Sequence, residues 1–388
     1  MIRIALAGYG TVGQGVMDLF HRRKNSLQTR VGKKVDIYYV LVRDENKARE
    51  IDLHGAKLTS DAWEIISDES VQVLMEATGD IDLGYVLIRE ALKRKKHVIT
   101  ANKSVLSRHF EELSDLAEEH GVYLLYEASV GGGTPLMKPL QDLSLHGEIR
   151  SLRGLLSGSC NYVLTRMRRD QISYDDVVEE AKELGYLEAD PIDDVGGFDT
   201  RRKLRILATL AFQGKVEEKD ISLEGISGLV QEDISLLSQM GYAVRLLAQA
   251  RRDGHRIQAA VHPVALPHAS FLGSMDGADN GVEFYGENFL RVSFQGSGAG
   301  RYPTAHAMLA DLEDVLFNLR RKESPLRKTH LFHDPFEVPS RFYVRSTAPL
   351  EIALETQLKE DTWLTAPIPY SEVKSLLPPG AVAIPIEK

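Results

Sequence analysis

The sequence predicts an α/β chain: an N-terminal parallel sheet wound with helices on both faces, then an α+β domain, then a short C-terminal extension. Three observations predict it. At 388 residues the chain exceeds what one hydrophobic core usually organises. Its first third alternates strand-like apolar runs with helix-period segments, the pattern of right-handed parallel crossovers. Gly8-Tyr9-Gly10-Thr11-Val12-Gly13 stands where the first run ends and the first helix opens.

Apolar runs fall at about 2–7, 35–42, 71–77, 97–100 and 122–126, with one-faced helical periodicity near 12–23, 83–95 and 105–119. The glycine-rich stretch Ser129–Pro135 then leads into a helix and a strand at about 149–157. Helices are expected near 161–169, 174–184, 200–213 and 231–251, and strands near 256–266, 281–286 and 290–295. Ser173, Asp176 and Gly185 carry start and stop signals for the 174–184 helix. A further amphipathic helix is expected at 304–322, then a Pro-containing linker to Pro339 and one strand over Ser340–Arg345.

Hydrophobic residues make up 43% and charged residues 27%, which excludes disorder as the main state. Lys and Arg number 47 against 56 Asp and Glu, a net charge of −9 that disfavours nucleic acid and anionic membranes as partners. Cys160 is the only cysteine, so no intramolecular disulfide or multi-cysteine zinc cage exists, as suits a reducing compartment. No apolar run reaches membrane-span length, and Met1–Ala7 reads as a strand rather than a signal peptide. A cytoplasmic protein is the expectation.

The chemistry-bearing motifs follow in chain order. In a dinucleotide site Gly8 permits the tight turn, Gly10 lets the backbone approach the pyrophosphate, and Gly13 lets helix and strand pack. Thr11 and Val12 lie between them as further cofactor contacts. Arg43 follows the second strand where an NAD-selective fold offers a carboxylate, which suits the extra phosphate of NADP; the adjacent Asp44 suits NAD. Lys103, in Thr100–Lys103, reads either as a group at the nicotinamide and substrate or as a surface lysine opening a helix. The densest signal is Gly185–Lys203. There Asp199 and Lys203 share one side of a helix, either as a proton-transferring pair or as a cap with a solvated partner. Cys160 reads as a small buried hydrophobe or as a nucleophile. Asp190, Asp193 and Asp194 lack a calcium-loop pattern, and the histidines lack zinc spacing.

Six segments in order give the chain its resemblance to homoserine dehydrogenases: Gly8–Gly13, Ala101–Lys103, Glu127–Pro135, Gly158–Tyr162, Gly185–Lys203, and Gly296–Gly300 followed by Pro303-Thr-Ala305. The likeness runs from residue 1 to about 322. It implies NAD(P)-dependent exchange of L-homoserine and L-aspartate 4-semialdehyde, in the biosynthesis of threonine, methionine and isoleucine. It also implies a Rossmann-type dinucleotide domain at 1–135 with a return helix at 304–322, and a substrate-binding and dimerisation domain at 136–303. By the match, Lys203 is the acid–base residue, Asp199 orients substrate or Lys203, Lys103 supports charge on the reacting oxygen, and Glu188 holds the substrate ammonium. Ser159, implied to bind substrate, stands where the family commonly has Thr and keeps the hydroxyl, while Thr78 and Gly300 match cofactor-lining positions. Backbone carbonyls of Glu127, Val130, Gly132 and Thr134 match a sodium loop. NADP, with NAD as the other choice, is the implied cofactor, and a homodimer or homotetramer the implied assembly.

The tail, 323–388, departs from the family pattern. Many relatives carry an ACT-type regulatory module; Ser340–Arg345 suits its first strand, but the remainder reads as too short and Pro-rich to complete one. Two other functional classes stay open: a dehydrogenase of a different amino-acid alcohol or semialdehyde, the latter needing a thiolate, and a nucleotide-binding regulator without catalysis.

Overall fold

The computed structural model describes residues 1–320, 322, 324–326 and 330–387; Arg321, Glu323, Arg327, Lys328, Thr329 and Lys388, which fall in the expected return helix, linker and tail, lie outside the described residues. The chain forms two compact units, one from Met1–Leu145, Thr209–Lys215 and Gly296–Thr329, the other from His146–Ala208, Val216–Gln295 and His330–Lys388, counting the described residues of each span.

The first unit runs β1 (Ile2–Ala7), α1 (Thr11–Val31), β2 (Val35–Leu41), β3 (Lys57–Thr59), α2 (Ala62–Ser67), β4 (Val71–Glu76), α3 (Ile81–Lys93), β5 (His97–Thr100), α4 (Lys103–His120), β6 (Leu124–Leu125) and α5 (Met137–Leu143). All pairs are parallel in the order β3-β2-β1-β4-β5-β6, the doubly wound Rossmann arrangement with its reversal at β1/β4. Strand alternation builds two cores. Ile4 and Leu6 pack with Val16, Met17 and Phe20 of α1 and with Met308 and Leu312 of a helix returning late in the chain. Ala5 and Ala7 face Ile65, Leu87, Ile88 and Val105 of α2, α3 and α4 on the other side. The short β3 and α2 gave no readable periodicity and escaped the sequence analysis.

The second unit contributes β7 (Ile149–Leu155), α6 (Gly158–Asp170), α7 (Tyr174–Glu183), α8 (Ile192–Val195), α9 (Phe198–Phe212, counted with the first unit from Thr209), β8 (Ser222–Leu223), α10 (Gln231–Gln239), β9 (Tyr242–Asp253), β10 (Arg256–Pro267), β11 (Asp279–Gly286) and β12 (Val292–Ser297, counted with the first unit from Gly296). The returning helix of the first unit is α11 (Arg301–Phe317), closed by left-handed Asn318 before the expected end at 322. Ser173 caps α7 as expected, accepting from Asp176 N.

The expectation at 231–251 fails in its second half. The helix at 231–251 stops at Gln239, and β9 fills the rest. Gly241, at φ +89, turns the chain, and Tyr242–Ala250 is buried nearly throughout, so both strand faces carry apolar side chains and mimic a buried helix.

The tail is a folded part of the second unit. It holds β13 (Phe332–His333), β14 (Arg341–Arg345), β15 (Leu354–Lys359), β16 (Thr362–Thr365), α12 (Tyr370–Leu376) and β17 (Val382–Ile386). Its strands lie in the order β17-β14-β16-β15, fourth-first-third-second, as in a split βαβ fold. The expectation of a tail too short and Pro-rich to complete a module therefore fails in part: all four strands are present, because they are short and the chain over 346–353 takes the place of the first crossover helix. β17 joins β10 at Ala265–Ile386, making one sheet from β12 to β15. Phe342, Val344, Tyr370 and Val373 share a core with Ala260 of β10.

A buried ion pair pins α6 to this sheet. The Arg245 side chain on β9 is 0% exposed and bonds Asp276 Oδ1 at 2.7 Å, Thr165 Oγ1 of α6 at 3.1 Å and the Gly273 carbonyl at 3.1 Å. Asp276 also meets Arg168 and Arg169. Burial works against the Arg245 charge and Asp276 supports it. Removing only the carboxylate leaves a buried cation uncompensated, so Asp276→Ala is expected to cost about 3–5 kcal/mol in urea unfolding. Arg245→Met, which keeps volume and leaves Asp276 its two other partners, is expected to cost far less; equal losses would contradict this account.

Candidate active site

In the first unit the candidate cofactor residues gather where parallel strands end and helices begin. Gly8 has φ +94, and a Cβ there would lie 2.4 Å from the Ala77 carbonyl. A Cβ on Gly13 would lie 2.0 Å from the Gly8 carbonyl, so this turn closes only with glycine. Gly10, by contrast, faces open space. It caps α1 without any side-chain hydrogen bond, which leaves the N–H groups of the first turn, Thr11 to Gly13, as a cradle for a pyrophosphate. A dinucleotide therefore fits this turn. Gly300 opens α11, which packs closely on α1 because Gly15 lacks a Cβ; one there would sit 2.7 Å from the Arg301 carbonyl.

Arg43, past the end of β2, pairs with Asp80 at 2.7 Å. Thr78 donates to Glu76 Oε1 at 2.6 Å. Lys103 is the first residue of α4, whose cap is Asn102, accepting from Val105 N at 3.2 Å. Sequence reasoning missed Glu76. Wholly buried at the end of β4, its carboxylate accepts from Thr78 N (2.9 Å), Thr78 Oγ1 (2.6 Å), Thr100 Oγ1 (2.6 Å) and Asn102 Nδ2 (3.4 Å). It ties together the two strand ends that present Thr78 and Lys103. A carboxylate closing an otherwise apolar strand was the available signal.

The Glu127–Thr134 loop is buried almost throughout and turns on left-handed Gly131 and Gly132. The Glu127 carboxylate is committed to the start of α5, accepting from Leu136 N, Met137 N and Lys138 N, while Glu127 N donates to Asp311 Oδ2 at 2.9 Å. The loop's backbone carbonyls remain as ligand candidates. Thr134 Oγ1 is buried with no hydrogen-bond partner among the described residues, so a cation of the hard, oxygen-seeking kind fits here. Among the described residues no side-chain cluster of His, Cys, Asp and Glu is arranged to hold a metal.

In the second unit Lys203 and Asp199 meet one turn apart at the start of α9. Lys203 Nζ lies 2.6 Å from Asp199 Oδ2 and donates to the Leu156 carbonyl at 2.7 Å. Their side chains are only 12% and 7% exposed. Asp199 sits within the first helical turn rather than at the cap, so the reading of a cap with a solvated lysine fails. Asn280 Nδ2 also reaches the Leu156 carbonyl, at 3.3 Å. Ser159 donates to the Tyr186 carbonyl at 2.8 Å, and Tyr186 stacks on Tyr162 at 4.5 Å, fixing the loop whose exposed end bears Glu188. Cys160 is fully buried, its Sγ 3.3 Å from the Asp194 carbonyl, and burial pushes its thiol up to about 12. A thiolate mechanism has no support there.

A doubly wound sheet with this turn, in a chain that also holds a sequestered lysine–carboxylate pair, defines a dinucleotide-dependent oxidoreductase. Residues 8–127 match the family model of the homoserine dehydrogenase NAD-binding domain and residues 135–312 that of homoserine dehydrogenase, and the chain belongs to the homoserine dehydrogenase family. The homoserine dehydrogenase of Bacillus subtilis is 39% identical over 319 residues, 82% of this chain and 74% of that protein. That of Lactococcus lactis is 32% identical over 359 residues, 90% and 83% of the two chains. A crystal structure of a homoserine dehydrogenase from Thiobacillus denitrificans matches with a TM-score of 0.89 at 28% identity, covering 100% of this chain and 98% of that one. The chain is thus an oxidoreductase acting on a small molecule, and none of its described helices is long and apolar enough to cross a membrane.

The two glycines separate folding from binding. Gly10→Ala is expected to leave the melting temperature within a few degrees yet weaken reduced-cofactor binding at least about tenfold by fluorescence titration, a loss of about 1.4 kcal/mol. Gly13→Ala is expected to destabilise the fold itself. Undiminished cofactor binding by Gly10→Ala would remove the turn from the site.

Proposed function

We propose that the chain interconverts L-homoserine and L-aspartate 4-semialdehyde, using NADP in preference to NAD, for threonine, methionine and isoleucine synthesis. The carrying observation is the Lys203–Asp199 contact at 2.6 Å, nearly closed to solvent on a helix of the second unit. The bound nicotinamide supplies the hydride in reduction and accepts it in oxidation. In the reducing direction Lys203 gives a proton to the aldehyde oxygen as it becomes an alkoxide, and in oxidation it takes the hydroxyl proton back. Asp199 and the Leu156 carbonyl hold its Nζ in one position. Lys103 supports the negative charge on the same oxygen. Glu188 accepts the substrate's ammonium, and Ser159 steadies that loop through Tyr186. Gly8–Gly13, Thr78 and Gly300 line the dinucleotide, and Arg43 takes the ribose phosphate.

Sodium held by the carbonyls of Glu127, Val130, Gly132 and Thr134 belongs to the same reading; the buried, unpartnered Thr134 hydroxyl supports it. The tail is read as an ACT-like module shortened by one helix. A homodimer or homotetramer in the cytoplasm completes the proposal, and the single buried cysteine suits that compartment.

Absorbance at the reduced-nicotinamide band, with homoserine and each oxidised cofactor supplied separately, tests reaction and cofactor together. No reduction with either cofactor would refute the assignment. Lys203→Met is expected to lower kcat by about 10²–10⁴-fold while cofactor affinity holds; activity within a few-fold of the parent would remove Lys203 from proton transfer. Exchanging sodium for choline at constant ionic strength is expected to slow turnover reversibly, whereas equal rates in both salts would make the glycine loop purely structural.

A further inference from the structure

The ion pair between Arg43 and Asp80 crosses the mouth of the glycine turn. β2 and β4 flank β1 in the sheet, and each contributes one partner just beyond its carboxyl end. Gly8 N donates to the Leu41 carbonyl at 3.0 Å and Ala77 N to the Ala7 carbonyl at 2.8 Å, so the two exits lie on either side of Gly8. The partners are unequally held. Asp80 is fixed: one carboxylate oxygen caps α3 by accepting from Leu83 N at 3.0 Å, and its carbonyl takes Asn102 Nδ2 at 2.9 Å. Asn102 is in turn bound to the buried Glu76. Arg43 reaches Asp80 along a side chain that is 79% exposed, against 30% for Asp80. Among the described residues Asp80 is the only carboxylate within ion-pair distance of this guanidinium.

We infer that Asp80 is a specificity-determining residue, its carboxylate holding the Arg43 guanidinium and so lowering the preference for a phosphorylated ribose over a free one. The inference rests on the reading of Arg43 as the ribose-side group. A phosphate monoester carries between one and two negative charges near neutral pH and needs the full field of the guanidinium. Asp80 cancels part of that field and repels the phosphate directly. A free ribose hydroxyl brings no charge, suffers neither effect, and is an acceptable donor to a carboxylate. Both consequences push in one direction: Asp80 costs NADP more than NAD.

Asp80→Asn tests this with little structural disturbance, because asparagine caps helices about as well as aspartate. The ratio of kcat/KM for NADP to that for NAD is expected to rise about two- to fivefold, the scale of one exposed ion pair. The rise should shrink as salt is added, since exposed charges are screened. A merely structural role would move both cofactors together and would not respond to salt. In the Arg43→Ala background the same substitution is expected to raise the ratio less, since only the direct repulsion and the ribose contact are then left to change. An unchanged or lowered ratio in Asp80→Asn overturns the inference. If Arg43→Ala has lowered the ratio in that case, the NADP reading stands and only the role of Asp80 falls. If Arg43→Ala leaves the ratio unchanged, both fall.

Discussion

Lys203 and Asp199 impose a demand that the second unit is built to meet. Two ionisable groups taken out of water lose hydration that their mutual attraction repays only when the geometry is good and the remaining donors are used. The Leu156 carbonyl, at the end of β7, supplies a second acceptor for the lysine. The acidic stretch before α9 is packed against its neighbours through glycines: a Cβ on Gly225 would lie 2.3 Å from the Val195 carbonyl, and one on Gly197 would meet the Leu223 side chain. Such backbone contact fixes the start of α9, and with it the direction of a side chain proposed to move a proton. Precision of this kind comes from rigid elements rather than from the pair itself.

The first unit solves a different problem, that of presenting backbone and small groups to a large anionic ligand. Steric closure at Gly8 and Gly13 aims the start of α1, and the wholly buried Glu76 aligns the exits of β4 and β5. A buried carboxylate is tolerable there because four donors meet it. Its position links the Thr78 turn, the Asp80 cap and the Asn102 cap in one hydrogen-bonded chain. The Arg43–Asp80 pair and the start of α4 thus share one support.

The tail shows how a short module becomes stable. Its own side chains, among them Phe342, Val344 and Tyr370, supply most of one core, which Ala260 of β10 joins, and β17 pairs with β10. Pairing at β10 also places tail strands along a sheet side that would otherwise expose unpaired backbone.

The amino-acid sequence by itself determined much of this protein. The short apolar run of β1, the glycine spacing at 8, 10 and 13, the Ser173 cap and the four-residue interval from Asp199 to Lys203 are local properties, legible along the chain without its partners. Local pattern misled over 242–251, because a strand buried on both faces has no periodicity, and it was silent at β15, a largely exposed strand with no apolar signature, and at β16, only four residues long. Tertiary structure alone decided that Glu76 is buried and fully satisfied, that Arg43 is held by Asp80, that Lys203 is sheltered rather than solvated, and that Cys160 is inert. Each outcome depends on partners distant in sequence, 37 residues apart for Arg43 and Asp80 and 47 for Lys203 and Leu156. The energy of a charged side chain is set by the dielectric and donors that surround it after folding, which no spacing along the chain encodes.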